Sequence, residues 1–113
     1  MNIQIFGKAK SFDTKKAERY FKERKIKYQY IDLVKYGMSA GEFRSIKSAV
    51  GNLDNLIDKD SRLYDELYLE YLAYEKDIEE KLLENQGCFK APIVRNGKLV
   101  TIGYQPEVWK SWE

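Results

Sequence analysis

The sequence predicts an α/β fold with a mixed four-stranded sheet, and three observations lead to that prediction. Residues 2–21 combine a strand pattern and a helix pattern in direct succession. A second strand pattern follows this helix at residues 28–33, which completes a βαβ unit. Near the C-terminus, two β-rich segments flank Asn96-Gly97, a dipeptide typical of β-hairpin turns. We therefore expect two parallel strands and an antiparallel hairpin in one sheet.

The first strand meets the first helix at a sharp loop. Apolar residues alternate with polar ones in the strand and recur at i, i+3 and i+4 in the helix (Ile3 and Ile5; Ala17, Tyr20 and Phe21). Gly7 marks the break, and the helix is predicted to begin near Ser11. A helix N-terminus at the end of a strand presents unpaired N–H groups, which favour an anion or a reactive thiolate. This corner is the expected place for a functional site.

Local signals also mark the second strand and the second helix. The strand covers residues 28–33, and Tyr36-Gly37 ends the βαβ unit. Ser39 and Glu42 have the spacing of a capping box, which predicts a helix N-terminus at that point. Gly51 is expected to stop this helix.

A helical insert, approximately residues 39–86, separates the βαβ unit from the hairpin. Apolar residues at helical spacing between Leu53 and Leu83 predict two or three helices, with a break within Leu69–Tyr74. The tyrosines at positions 64, 68, 71 and 74 have two possible roles. They form a platform on which bases or a partner peptide stack, or they form the edge of the core. The core edge is favoured because tyrosine combines an apolar ring with a hydroxyl that reaches water.

The C-terminal part returns to the sheet. Residues 91–95 and 98–103 are the predicted hairpin strands, with a tight turn at Asn96-Gly97. Pro106 is expected in the first turn of a short final helix, which one of the two tryptophans anchors. The resulting order is β-α-β, helical insert, β-β-α. A four-stranded mixed sheet in the order 2-1-3-4 satisfies it, which is a thioredoxin-like α/β fold.

Composition limits the possible functions. A length of 113 residues fits a single domain, which we assign to residues 1–113, and 43% hydrophobic residues is ordinary for a soluble globular protein. The sequence has neither an apolar segment long enough to span a bilayer nor the features of a signal peptide, so we expect no membrane association and a cytoplasmic location. Cys88 is the only cysteine and histidine is absent, which argues against metal catalysis. We expect no metal and no cofactor.

Charge is spread unevenly, although the net charge is only +2. Residues 1–48 carry twelve basic and five acidic side chains, whereas residues 58–84 carry four basic and ten acidic ones. Such asymmetry can steer a charged partner or a second copy, but solvated helix faces with local ion pairs are the simpler interpretation. Direct nucleic-acid binding by the basic first helix is a minor alternative, because the net charge is small and the insert is acidic.

Three segments, Lys16–Leu33, Leu82–Val94 and Gly103–Trp109, carry a resemblance to a known family. Over its full length the chain resembles the arsenate reductase family of thioredoxin-fold proteins, which includes the Spx-type transcriptional regulators. The resemblance implies a thioredoxin-like fold with a site loop after the first strand. In the family this loop holds a cysteine, often as C-x-x-C, followed by an arginine at the N-terminus of the first helix.

Carried over position by position, the resemblance places Ser11 at the catalytic cysteine, Thr14 at the second cysteine and Lys15 at the arginine. Pro92 matches the family's proline before the hairpin, which the resemblance implies is cis and apposed to the site loop. The arginine that precedes this proline in the family is replaced by Ala91.

A further family arginine, in the insert, falls on Asp58 or Asp60. Without histidine, Ser11 has no neighbouring base to activate it, and a hydroxyl cannot take part in thiol-disulfide exchange. The simpler role of Ser11 is that of helix N-cap. Cys88 is the remaining thiol, placed either near the site loop or partly buried beneath the insert, and free cysteine more often acts as a small apolar residue.

Two functional hypotheses remain. The leading one is a redox-inactive relative of the arsenate reductase and Spx proteins that binds a protein partner, with transcription regulation as in the Spx branch. The alternative is a divergent, glutathione-linked arsenate reductase-like oxidoreductase that uses Cys88 or an external thiol. In that enzyme, Lys8, Lys10 and Lys15 would hold an oxyanion. The partner's identity and the oligomeric state are not fixed by the sequence.

Overall fold

A mixed four-stranded sheet forms the centre of the protein in a computed structural model, which describes all residues from 1 to 113. Its strands are β1 (Ile3–Gly7), β2 (Tyr28–Asp32), β3 (Ile93–Asn96) and β4 (Leu99–Ile102). The strand order is β2-β1-β3-β4, as predicted. β1 pairs in parallel with β2 and antiparallel with β3, and β3 pairs antiparallel with β4.

Five α-helices accompany the sheet: α1 (Phe12–Glu23), α2 (Ala40–Val50), α3 (Arg62–Glu66), α4 (Glu75–Glu84) and α5 (Pro106–Lys110). Three short 3-10 helices cover Leu53–Leu56, Leu69–Tyr71 and Gln86–Cys88. The predicted break within residues 69–74 is present, because a 3-10 turn and a non-helical link separate α3 from α4. None of the helices combines the length and the apolar character that a membrane span requires.

The predicted start and end of α2 are confirmed by its hydrogen bonds. The Ser39 hydroxyl accepts the N–H of Glu42 at 3.1 Å, and the Glu42 carboxylate accepts the N–H of Ser39 at 2.8 Å. Gly51 follows the helix with φ of +82°, a left-handed conformation that glycine adopts without steric cost.

The two faces of the sheet bury different helices, because successive strand residues point to opposite sides. Ile3 and Ile5 face α1 and α5, in a cluster that contains Phe21 and Trp109. Phe6 faces the other way, into a larger cluster with α2 and the insert. The site-bearing helix α1 and the insert therefore lie on opposite sides of the sheet.

The hairpin turn lies one residue later than predicted. Asn96 pairs with Leu99, so the two loop residues are Gly97 and Lys98 rather than Asn96 and Gly97. Gly97 has φ of +60° at the first loop position. Glycine suits a positive φ at that position, which explains the shift.

The prediction that the insert tyrosines lie at the core edge is wrong for three of them. Tyr68, Tyr71 and Tyr74 are 67%, 77% and 71% exposed, whereas Tyr64 is partly buried. α3 contains only five residues and a 3-10 turn follows it, so no helical repeat continues through this segment. Without that repeat, the tyrosines do not share one buried face.

Candidate functional site

The site loop, residues 8–11, connects β1 to α1 at the edge where the parallel strands end. Gly7 precedes it in a confined position. A Cβ atom at Gly7 would lie 2.4 Å from Thr14 Cγ2 and 2.8 Å from Tyr30 Cε2, so a larger residue does not fit. The N–H of Lys8 then donates to Thr14 Oγ1 at 3.3 Å, which fixes the loop against the first turn of α1.

Ser11 is the N-cap of α1. Its Oγ accepts the N–H of Thr14 at 3.1 Å, and its backbone is extended, as an N-cap requires. Thr14 is buried, with its hydroxyl turned to the Lys8 amide. Ser11 and Thr14, the two residues that the resemblance assigned to the family's cysteine positions, therefore hold the loop and the helix together.

The N-terminus of α1 keeps some capacity for an anion. The backbone N–H groups of Phe12 and Asp13 have no acceptor within the chain. The Asp13 carboxylate lies in the same turn and interacts favourably with the positive end of the helix dipole. It therefore competes with an external anion at this end.

Lys8 and Lys10 meet in one groove, whereas Lys15 does not join them. The groove has a volume of about 320 Å³, and Asp32, Val34 and Lys35 complete its lining with Ala9. Lys15 extends over the exposed ring of Phe12 instead, with Nζ 5.7 Å from the ring centroid. Of the three predicted anion-binding lysines, the structure thus brings together two.

Asp58 enters the site from the insert. Its Oδ2 lies 3.8 Å from Lys8 Nζ, and both side chains are partly exposed. The resemblance assigned a family arginine to Asp58 or Asp60; of the two, Asp60 is exposed to solvent. A carboxylate therefore stands beside the lysine of the site loop, where it reduces the attraction for an oxyanion.

Cys88 lies behind Asp58 and is fully buried. The Cys88 carbonyl accepts the N–H of Asp58 at 2.8 Å, and its Sγ lies 4.0 Å from the Asp58 carbonyl oxygen. The pKa of the Cys88 thiol is raised, mainly because the thiol is buried. The charge of nearby Lys8 lowers this pKa, and the charge of Asp58 raises it. With an exposed fraction of 0% and a raised pKa, Cys88 has the properties of a core residue rather than a nucleophile.

The peptide bond between Ala91 and Pro92 is cis, as the resemblance implied. Ile93, the next residue, pairs with Phe6 of β1. Continuing this antiparallel register places Pro92 opposite Gly7, directly before the site loop.

The site has a second loop, residues 33–37 after β2, which was not predicted from the sequence. The Asp32 carboxylate accepts the N–H groups of Val34 and Lys35, both at 2.9 Å, and so fixes this loop. Two apolar side chains at this edge are exposed, Val34 at 71% and Phe12 at 77%. The available signal was an apolar valine directly after Leu33, the residue that ends the predicted strand. We call Lys10, Phe12, Lys15, Val34 and Lys35 the sheet-edge surface.

Gln86, also missed, ties the second loop to the end of the insert. Its Oε1 accepts the N–H of Met38 at 2.6 Å, and its Nε2 donates to the Met38 carbonyl at 2.9 Å. The amide fits because Gly37 leaves no side chain in its way: a Cβ at Gly37 would lie 2.7 Å from Gln86 Nε2.

Comparisons with known structures give a consistent result. The arsenate reductase from Vibrio cholerae superposes with a TM-score of 0.85 at 19% identity, covering 98% of this chain and 97% of that one. This chain has the arsenate reductase fold. A protein from Bacteroides fragilis described as related to the ArsC family superposes with a TM-score of 0.86 at 20% identity, covering 100% and 98%. An ArsC-related protein from Brucella melitensis gives 0.71 at 18% identity, covering 99% and 94%.

The likeness is one of fold rather than of close sequence relationship. No protein-family model and no curated protein matches the chain. The arsenate reductase fold over the full chain agrees with the thioredoxin-like topology predicted from the sequence.

Proposed function

We propose that this protein acts by binding a protein partner through the sheet-edge surface and does not use thiol-disulfide chemistry. The observation that carries the proposal is a contrast at one edge of the sheet. The Ser11 hydroxyl caps α1 and the only thiol is fully buried, whereas Phe12 and Val34 are exposed. Exposed apolar side chains are expected at a binding surface, and a reactive group is not needed there.

The charges around this surface indicate the chemistry of the partner. Lys10 and Lys35 line the groove together with Val34, Lys15 extends over Phe12, and none of these lysines forms an ion pair within the chain. An acidic protein surface with apolar residues of its own complements this arrangement. Transcription regulation is the process to test first, because the sequence resemblance includes the Spx-type regulators.

Affinity capture from extracts of the organism that encodes the protein tests the proposal. Three forms of the protein are compared. The wild type is compared with a Phe12→Ser/Val34→Ser variant and with Leu99→Ser, a control that changes an exposed apolar residue of β4. We expect a partner that the wild type and the control retain and the double variant loses. Equal retention by the double variant contradicts binding at this surface.

The enzymatic alternative is tested by arsenate-dependent oxidation of glutathione. We expect no turnover by the wild type, since the Cys88 thiol is buried and its pKa is raised. Turnover that disappears in Cys88→Ala would establish the reductase instead. Labelling of the native protein with a thiol reagent should also leave Cys88 unmodified. Ser11→Cys is the positive control for this labelling, because the positive end of the α1 dipole lowers the pKa of a cysteine at the N-cap, which should react well before Cys88.

A further inference from the structure

A second surface lies on the insert, around Tyr64, Tyr68 and Tyr71, which we call the tyrosine cluster. Together with Asp65 and Glu70, these residues line a pocket of about 220 Å³. Tyr68 and Tyr71 are among the most exposed aromatic side chains of the protein. The pocket therefore has aromatic walls and two carboxylates.

The exposed rings belong to an ordered turn. Leu69, between Tyr68 and Tyr71, is buried in the larger core cluster and anchors the segment. The N–H of Tyr68 donates to the Asp65 carbonyl at 3.1 Å, and the N–H of Tyr71 donates to the Tyr68 carbonyl at 3.0 Å. Tyr68 has φ of +53°, a conformation that non-glycine residues seldom adopt. The core contact of Leu69 thus holds the neighbouring rings in solvent.

The charged residues that line the pocket, Asp65 and Glu70, are both acidic. No basic residue occurs between Arg62 and Lys76, whereas the same stretch contains four carboxylates (Asp65, Glu66, Glu70 and Glu75). Glu75 is paired with Lys47, but the other three form no ion pair within the chain. Unpaired carboxylates beside exposed aromatic rings attract a cationic group.

We propose that the tyrosine cluster binds a basic segment of a protein partner, with an arginine side chain in the pocket. A guanidinium group stacks on a tyrosine ring through cation–π attraction and donates hydrogen bonds to carboxylates. Asp65 and Glu70 provide the carboxylates on the pocket wall. A nucleic acid is disfavoured by the same negative charge. The cluster is separate from the sheet-edge surface, and the proposal does not depend on the function proposed above.

The test is a titration of the isotope-labelled protein, followed by NMR, with an acetylated and amidated eight-residue peptide of alternating arginine and glycine. A peptide with citrulline in place of arginine has nearly the same shape without the charge. We expect amide shifts concentrated at residues 64–71 and a Kd at least tenfold higher for the citrulline peptide. Equal affinity for the two peptides, or shifts centred on α4, would overturn the proposal.

Variants within the same segment sharpen the test. Tyr68→Asn removes a ring from the pocket with a residue that tolerates positive φ, and Tyr71→Ser removes another. Each should raise the Kd of the arginine peptide at least threefold. Tyr74→Ser is the matched control, since Tyr74 is as exposed but does not line the pocket.

Two further results distinguish other occupants. Phe12→Ser/Val34→Ser should leave the peptide's affinity unchanged, which separates this surface from the sheet-edge surface. Sedimentation of the protein alone should show a monomer at the concentrations used. If the protein instead self-associates and Tyr68→Asn abolishes this, the occupant of the pocket is a second copy of this chain, whose residues 1–48 carry twelve basic and five acidic side chains.

Discussion

The cluster between α1, α5 and the sheet and the segment from α3 to α4 in the insert place their tyrosines and neighbouring rings differently. On the α1 and α5 side, the rings of Tyr20, Phe21 and Trp109 are buried and lie 5.1–5.2 Å apart between centroids. On the insert side, three tyrosines project into solvent. Helix length explains the placement of Tyr20 and Phe21, because α1 has twelve residues and α3 only five. Trp109 lies on α5, which is as short as α3, and is buried because α5 packs against α1 and the sheet. A long helix repeats its buried face, whereas a short helix followed by a 3-10 turn does not.

The largest expected effect comes from the buried aromatic side. Trp109→Ala removes a fully buried indole and leaves a cavity between α1, α5 and the sheet. We expect the free energy of unfolding to fall by about 3–5 kcal/mol, measured by chemical denaturation. Trp112→Ala is the control, because Trp112 is only partly buried at the edge of the same cluster. Similar losses in both variants would contradict the central role of Trp109.

A smaller loss is expected from the buried hydrogen bond of Trp109 in that cluster. The indole N–H of Trp109 donates to Thr101 Oγ1 at 2.8 Å, and both groups are buried. Thr101→Val leaves this N–H without an acceptor and should lower the free energy of unfolding by about 1–3 kcal/mol. Thr101→Ser retains the hydroxyl and should lose less. A valine variant as stable as the wild type would show that the hydrogen bond contributes nothing.

The same side should also respond to alkaline pH. Burial, followed by the hydrogen bond to Glu18, raises the pKa of Tyr28 from 10.0 to about 12. The folded protein then holds a proton that the unfolded chain releases, so stability present below pH 10 declines as the pH rises to about 12. Tyr28→Phe should show a shallower decline in denaturation experiments across this range. Identical slopes would contradict the raised pKa.

The smallest effect is expected on the insert side. Tyr74→Ala removes a side chain that is 71% exposed and forms no side-chain hydrogen bond in the cap of α4. The free energy of unfolding should change by less than about 0.5 kcal/mol. A loss as large as that of Thr101→Val would mean that the insert tyrosines support the fold, and the contrast between the two sides would fail.

Local signals account for the success of the fold prediction. The glycine before the site loop, the Ser39 and Glu42 capping box and the Asn96-Gly97 hairpin each determine structure within a few residues. The error at the insert tyrosines arose because their spacing fits a helix that the chain does not continue. Where a segment changes between α and 3-10 turns, side-chain spacing no longer identifies the buried face.

The candidate site was predicted only in part, for a different reason. Ser11 and Thr14 are adjacent to their partners in sequence, so their roles could be derived from local chemistry. The contacts of Lys8 with Asp58 and of Met38 with Gln86 join residues that are 50 and 48 positions apart. Such pairings depend on how the insert folds back on the sheet, which periodicity does not encode.

The Gln86 amide has a consequence for how the insert is attached. Its two hydrogen bonds to Met38 copy the pairing that a neighbouring strand would provide, and they join the points where the chain leaves and re-enters the sheet region. The insert is thus a loop closed at its base. Its interior can vary in length and sequence while the entry and exit points stay fixed, which makes it the natural place for this architecture to acquire a new surface.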